Sequence, residues 1–270
     1  MPAGRLRRKR RRLLVAALLV AAVVAAGSIA LARRGRTPTV SACSVSDGPG
    51  RSYPLTPAQA QNAAIIAAVA YRKGLPDHAV TVALAAAMQE SKLVNLDHGD
   101  LDSLGLFQQR PSEGWGTPAQ IMDPAYAASA FYDRLVGVAG WQSMTVGTAA
   151  QTVQRSAAPD AYTPWEPQAR AVATALTGEV AAGLTCSLAG WAGATPAPGA
   201  LAAAATSEFG SDVLGQHLDP KAGWEVATWA VAHAFNYHLQ RVAYSGRAWS
   251  PGAGGWRPDP TAGPVVTTQA

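Results

Sequence analysis

The sequence predicts a mainly α-helical fold: a helical domain with a small β-like or irregular insertion, preceded by one transmembrane helix and followed by a small α+β module. Three observations predict it. Between residues 56 and 187, apolar positions recur at spacings of three and four, bounded by Pro starts and Gly stops. Residues 93–117 break that pattern with Gly, Asp, Ser and Asn around short apolar islands. Near the N-terminus, Leu13 to Ala32 is a run of 20 residues without a charge. As a helix that run is about 30 Å long, the thickness of a hydrocarbon core.

Taken in order, the basic cluster Arg5, Arg7, Arg8, Lys9, Arg10, Arg11 and Arg12 precedes the apolar run. The basic excess predicts a cytoplasmic N-terminus and a body outside the cell membrane. Segment 1–36 is thus a single-pass anchor; the alternative is secretion after cleavage near Ala30-Leu31-Ala32. Residues 37–55 read as a Pro-, Gly- and Ser-rich spacer. Thr56-Pro57 is an N-cap followed by Pro at the first helical position, and Gly74 stops that helix. Pro76-Asp77 opens a second helix over 78–91, with Val80, Leu84, Ala87 and Met88 on one stripe. Further helices are expected at 124–138, 146–155 and 166–182. Residues 188–206 read as a Gly/Ala/Pro-rich linker, 207–258 as a small module with a helix at 222–239 and a hairpin at 241–249, and 259–270 as a disordered tail.

The formal charge of +5 misleads, because ten of the 22 basic residues lie in the first 36 positions. The remainder carries 12 basic and 17 acidic residues, a net −5. Such a body lacks the basic face that nucleic-acid binding needs. Cys43 and Cys186 flank the main domain in an oxidising compartment, so a bridge is expected, with two free thiols as the alternative.

Glu90 closes the second helix on the flank of its apolar stripe. A carboxyl half-desolvated at the negative end of a helix dipole keeps its proton more readily, which suits a general acid. On its own, an exposed Glu near a helix end is the commoner explanation. Its surroundings change that. Ala87-Met88-Gln89-Glu90-Ser91, followed by Ser103-Leu104-Gly105-Leu106-Phe107-Gln108-Gln109-Arg110-Pro111, resembles the soluble lytic transglycosylases and goose-type lysozymes. Glu90 and Gly105 are 15 positions apart. The resemblance covers about residues 56–185 and implies a lysozyme-like helical domain acting on peptidoglycan glycan strands. It implies Glu90 as catalytic acid and base, with Ser91, Gly105, Leu106 and Gln108 lining the groove. Ala161-Tyr162 is similar to a later family element, which makes Tyr162 a further substrate-site candidate, although the surrounding segment departs from the family's Asn-x-Gly-type loop.

The resemblance implies cleavage of the MurNAc-β-1,4-GlcNAc bond with no cofactor. Asp97, Asp100 and Asp102 lie between the two motifs. If one faces the cleft, hydrolysis as in a goose-type muramidase becomes possible; turn formation is the plainer role for such residues. A non-catalytic wall-binding or scaffolding protein is the other class. Trp115, Phe107 and Tyr162 are candidates for stacking on sugars, while Trp141 and Trp229 read as core. His217, His233 and His238 lack metal-site spacing and read as surface residues; no metal site is expected. Oligomeric state is left open.

Overall fold

The computed structural model describes residues 40–46, 51–158 and 160–270. The basic cluster and the uncharged run therefore lie outside the described residues. Within them, no helix is long and apolar enough to cross a membrane. The fold is mixed rather than mainly α: a helical body carries two small antiparallel sheets.

Helix α1 (Pro57–Arg72) starts at Thr56, whose hydroxyl accepts from the Gln59 amide while the Gln59 side chain accepts from the Thr56 amide. This reciprocal cap satisfies two amides that the first turn cannot pair. Helix α2 (Asp77–Ser91) is buried on nearly every side from Ala79 to Met88 and forms the centre of the core. Its Ala-rich surface lets its neighbours approach closely. It ends because Lys92 and Leu93 turn left-handed at φ 57° and 61°, with the Lys92 amide donating back to Ala87 and Met88. Helices α3 (Pro118–Ile121), α4 (Pro124–Val136), α5 (Val146–Gln154) and α6 (Glu166–Leu176) follow. α2 packs against α4, α5 and α6, and against α1.

Strands β1 (Ala42–Ser46) and β2 (Ser52–Leu55) come from the stretch read as a spacer. Cys43 and Val45 point inward and alternate with exposed neighbours, the period-2 pattern of a half-buried strand. β1 is the central strand of a β2-β1-β3 sheet, where β3 is Leu184–Ser187. Cys43 lies directly opposite Cys186 in that register, and the two form the disulfide.

The C-terminal part differs from the expected linker, module and tail. Residues 40–270 form one compact unit. Helix α7 (Ala200–Phe209) occupies what read as linker, and α8 (Pro220–Tyr237) packs along α1. The segment expected to be a disordered tail supplies β7 (Thr267–Gln269). It pairs with β4 (Arg241–Tyr244) in the sheet β6-β5-β4-β7, where β5 is Arg247–Trp249 and β6 is Arg257–Pro258. Trp224, Trp229 and Trp249 are buried here and build core. His233 is also fully buried, a correction to its reading as a surface residue. Its Nδ1 bonds the Trp229 carbonyl at 2.9 Å and its Nε2 meets Glu208 at 3.2 Å. A carbonyl can only accept, so Nδ1 carries hydrogen and Nε2 faces the Glu208 carboxyl. With Trp229 Nε1 donating to the other Glu208 oxygen at 2.6 Å, this network fastens α7 to α8.

Candidate functional site

Glu90 sits in the last turn of α2, half-buried, and opens onto a cleft of about 490 Å³. Three segments close around that turn. The first is Ser103–Arg110, where Leu104 and Gln109 exchange two backbone hydrogen bonds of 2.9 Å and Gly105 donates to Leu96 at 2.7 Å. This is the small β-like insertion. Gly105 has φ 76°, and a Cβ there would stand 2.7 Å from the Ile121 carbonyl oxygen, so only glycine fits. The second segment is the end of α5, whose Gln154 Nε2 donates to the Phe107 carbonyl at 2.8 Å. The third is Tyr162–Trp165, the turn entering α6.

The third segment grips the end of α2 twice. The Tyr162 hydroxyl donates to Glu90 Oε1 at 2.5 Å, and Trp165 Nε1 donates to Gln89 Oε1 at 2.8 Å. Lys92 lies 4.3 Å over the Trp165 ring. Burial, and then the hydrogen bond to Glu90 and its charge, push the Tyr162 phenol well up, so it remains a donor across the neutral range. The second Glu90 oxygen accepts no hydrogen bond among the described residues. One side of the carboxyl is thus fixed and the other is available to a ligand in the cleft.

The remaining residues singled out in the sequence divide into two kinds. Gln108 lines the cleft at φ 47°, a strained left-handed position for a side-chain-bearing residue, with its Nε2 directed at the Gly105 carbonyl at 3.3 Å. Ser91 and Leu106 lie beneath the surface. The Ser91 hydroxyl donates to the Leu106 carbonyl at 2.7 Å and not to Glu90, tying the helix end to the Gly105–Gln108 turn. The Leu106 side chain is fully buried, as is Phe107, which stacks on Phe131 with ring centroids 4.8 Å apart. Phe107 therefore offers no face to a sugar. Trp115 is covered by Arg134, whose guanidinium carbon lies 3.4 Å from the ring centroid.

The three aspartates also separate. Asp97 pairs with His98 in an exposed turn. Asp102 accepts from Arg110 Nε at 2.7 Å and from the Ser112 amide at 2.8 Å, which hold its carboxyl down at about 2 and brace the insertion. Asp100 alone of the three lines the cleft. Glu113, Arg110, Arg134 and Arg155 line it too, and sequence reasoning did not single them out. No local pattern marks them, because they come from a 3-10 turn, a loop and two helix ends that meet only in the fold. Among the described residues, no group of three or more His, Cys, Asp or Glu side chains is placed to hold a metal ion. No protein-family model matches the chain, and no curated protein matches it in sequence.

Proposed function

We propose that the protein is a lytic transglycosylase that cleaves the β-1,4 bond between N-acetylmuramic acid and N-acetylglucosamine in peptidoglycan. The observation that carries the proposal is the 2.5 Å hydrogen bond from Tyr162 to Glu90 on the wall of a cleft of about 490 Å³. Glu90, protonated, donates to the glycosidic oxygen as the bond to the anomeric carbon breaks. The resulting carboxylate then takes the proton of the C6 hydroxyl of the muramoyl residue. That oxygen closes on the anomeric carbon to give a 1,6-anhydro end, and the glutamic acid is regenerated. Tyr162 holds one carboxyl oxygen throughout, so the proton is exchanged at the other. Gln108, set at the cleft wall by its left-handed backbone, is a donor and acceptor for N-acetyl or hydroxyl groups.

Hydrolysis is the second reading, and Asp100 on the cleft wall favours it, since a second carboxylate can hold a water. Mass analysis of digested peptidoglycan separates the two. The transglycosylase reading expects 1,6-anhydro ends and an active Asp100→Asn variant. Reducing ends together with an inactive Asp100→Asn would establish the muramidase reading instead.

The location also belongs to this proposal: a body held outside the membrane by the uncharged run 13–32, with seven basic residues before it on the cytoplasmic side. A reporter fused after Ala270 is expected to be active only when it functions outside the cytoplasm, and activity inside would refute the orientation.

A further inference from the structure

The cleft that holds Glu90 adjoins a second cavity of about 450 Å³, and the two share Glu113, Arg134, Val153 and Arg155 as walls. Arg134 projects from α4. Arg155 caps α5 in the left-handed region at φ 53°. Arg134 is held in place from below by Trp115 and from the side by the Glu113 carbonyl, which accepts from its Nη2 at 3.0 Å. Its burial, and then repulsion from Arg155, pull its guanidinium below the usual arginine value.

Glu113 is the carboxylate common to both cavities, but it is ion-paired to Arg110 and not to Arg134 or Arg155. Among the described residues neither guanidinium forms an ion pair, and the Arg155 guanidinium makes no hydrogen bond. Two of the acids nearby are engaged elsewhere. Glu113 accepts from Arg110 Nη1 at 3.3 Å and Asp133 from Lys73 at 2.6 Å. Two cations near enough to repel, with Glu113 and Asp133 committed to other partners, favour an anion on this side of the groove, away from Glu90 and Asp100. Planar guanidinium forks match carboxylates and phosphates alike.

We propose that Arg134 and Arg155 form an anion subsite that takes the carboxylates of the peptide stem carried by the glycan strand. This rests on the peptidoglycan reading of Glu90. The sugars of the strand are neutral, and the muramoyl residue beside the bond to be cut bears the stem. A groove leading away from Glu90 over two unpaired arginines suits that substituent. Arg134 fixes the stem's position, while exposed Arg155 closes over it. Phosphoryl groups of other wall polymers share this anion chemistry, and the test separates the sources.

The experiment compares kcat/KM of the full chain on stem-bearing strands and on strands stripped of peptide, for wild type and Arg155→Glu. Wild type is expected to prefer stem-bearing strands. In Arg155→Glu that preference falls at least about tenfold, the lower end for losing a charge-assisted hydrogen bond, through KM rather than kcat. Arg155→Lys restores part of it, which a merely structural role would not predict. A synthetic acidic stem peptide is expected to compete more strongly than inorganic phosphate; the reverse order overturns the stem assignment. An unchanged preference in Arg155→Glu overturns the subsite while leaving the cleavage reading intact. If wild type cleaves neither substrate, the cleavage reading fails. The subsite then stands if the stem peptide binds wild type and not Arg155→Glu, and falls if it binds both alike or neither.

Discussion

Helix α2 carries Asp77 in its first turn and Glu90 in its last, and the two ends treat carboxyl groups differently. At the first turn, Asp77 accepts from Lys221 Nζ at 2.6 Å. Burial raises Asp77, but hydrogen bonds with Glu179 and Lys221 outweigh it and hold the group below its usual value. Its partner Glu179 is pushed up by that same hydrogen bond and by burial. Behind them, Glu225 on α8 is only 6% exposed, and burial followed by the Asp77 charge pushes it up to about 8. Asp77, Glu179 and Lys221 bond one another there beside a small cavity of about 180 Å³. At the last turn, Glu90 has a single donor among the described residues, Tyr162, and an open cleft. The contrast teaches that a displaced titration does not by itself mark a reactive group. What distinguishes Glu90, the proposed acid, is a fixed oxygen on one side and a cleft on the other.

That contrast can be broken from either end. The larger effect on stability is expected from Glu225. Its folded value of about 8 lies above its ordinary 4.5, so the folded protein binds the extra proton between those values. Stability from this group is therefore full below about 4.5 and is lost as pH rises through about 8. The loss amounts to a few kcal/mol, at roughly 1.4 kcal/mol per pKa unit. Glu225→Gln should flatten this decline in urea melts run from about pH 5 to about pH 9, and should leave glycan cleavage in place. A variant that keeps the wild-type slope, or loses activity while folded, would show that the first-turn cluster is not scaffold.

A smaller effect, on activity rather than stability, is expected from Tyr162→Phe. It removes one hydrogen bond to a charged group, about 1.5–3 kcal/mol. If that bond orients Glu90 in the transition state, kcat falls by about ten- to a hundredfold while the urea midpoint moves little. An unchanged kcat would mean that Tyr162 only fills space.

Much of the site was legible because its signals are local. Thr56-Pro57 caps its helix as expected, and Glu90 and Gln108 line one cleft. What was not legible depends on distant partners. β1 and β2 lie in a polar stretch whose strand character follows from pairing with β3 across the disulfide. α6 was expected to reach residue 182 but ends at Leu176. Gly178 turns there at φ 74°, where a Cβ would collide with the Lys221 carbonyl of α8. α7 was hidden by the glycines and prolines before it, although its alanines are strong helix formers. His233 gave no signal, because only the fold brings Glu208 to it. Arg134 and Arg155 were passed over for the same reason.

The most direct test of the account is Glu90→Gln in the full chain, assayed on purified peptidoglycan beside wild type. The substitution keeps size and the acceptor for Tyr162 but cannot donate a carboxyl proton. Turnover is expected to fall by at least about a hundredfold, the lower end for general acid catalysis, with an unaltered urea midpoint. Turnover equal to wild type would contradict it. So would a wild-type protein that sediments with peptidoglycan but releases no product, with Glu90→Gln binding equally well; the chain would then be a wall-binding protein.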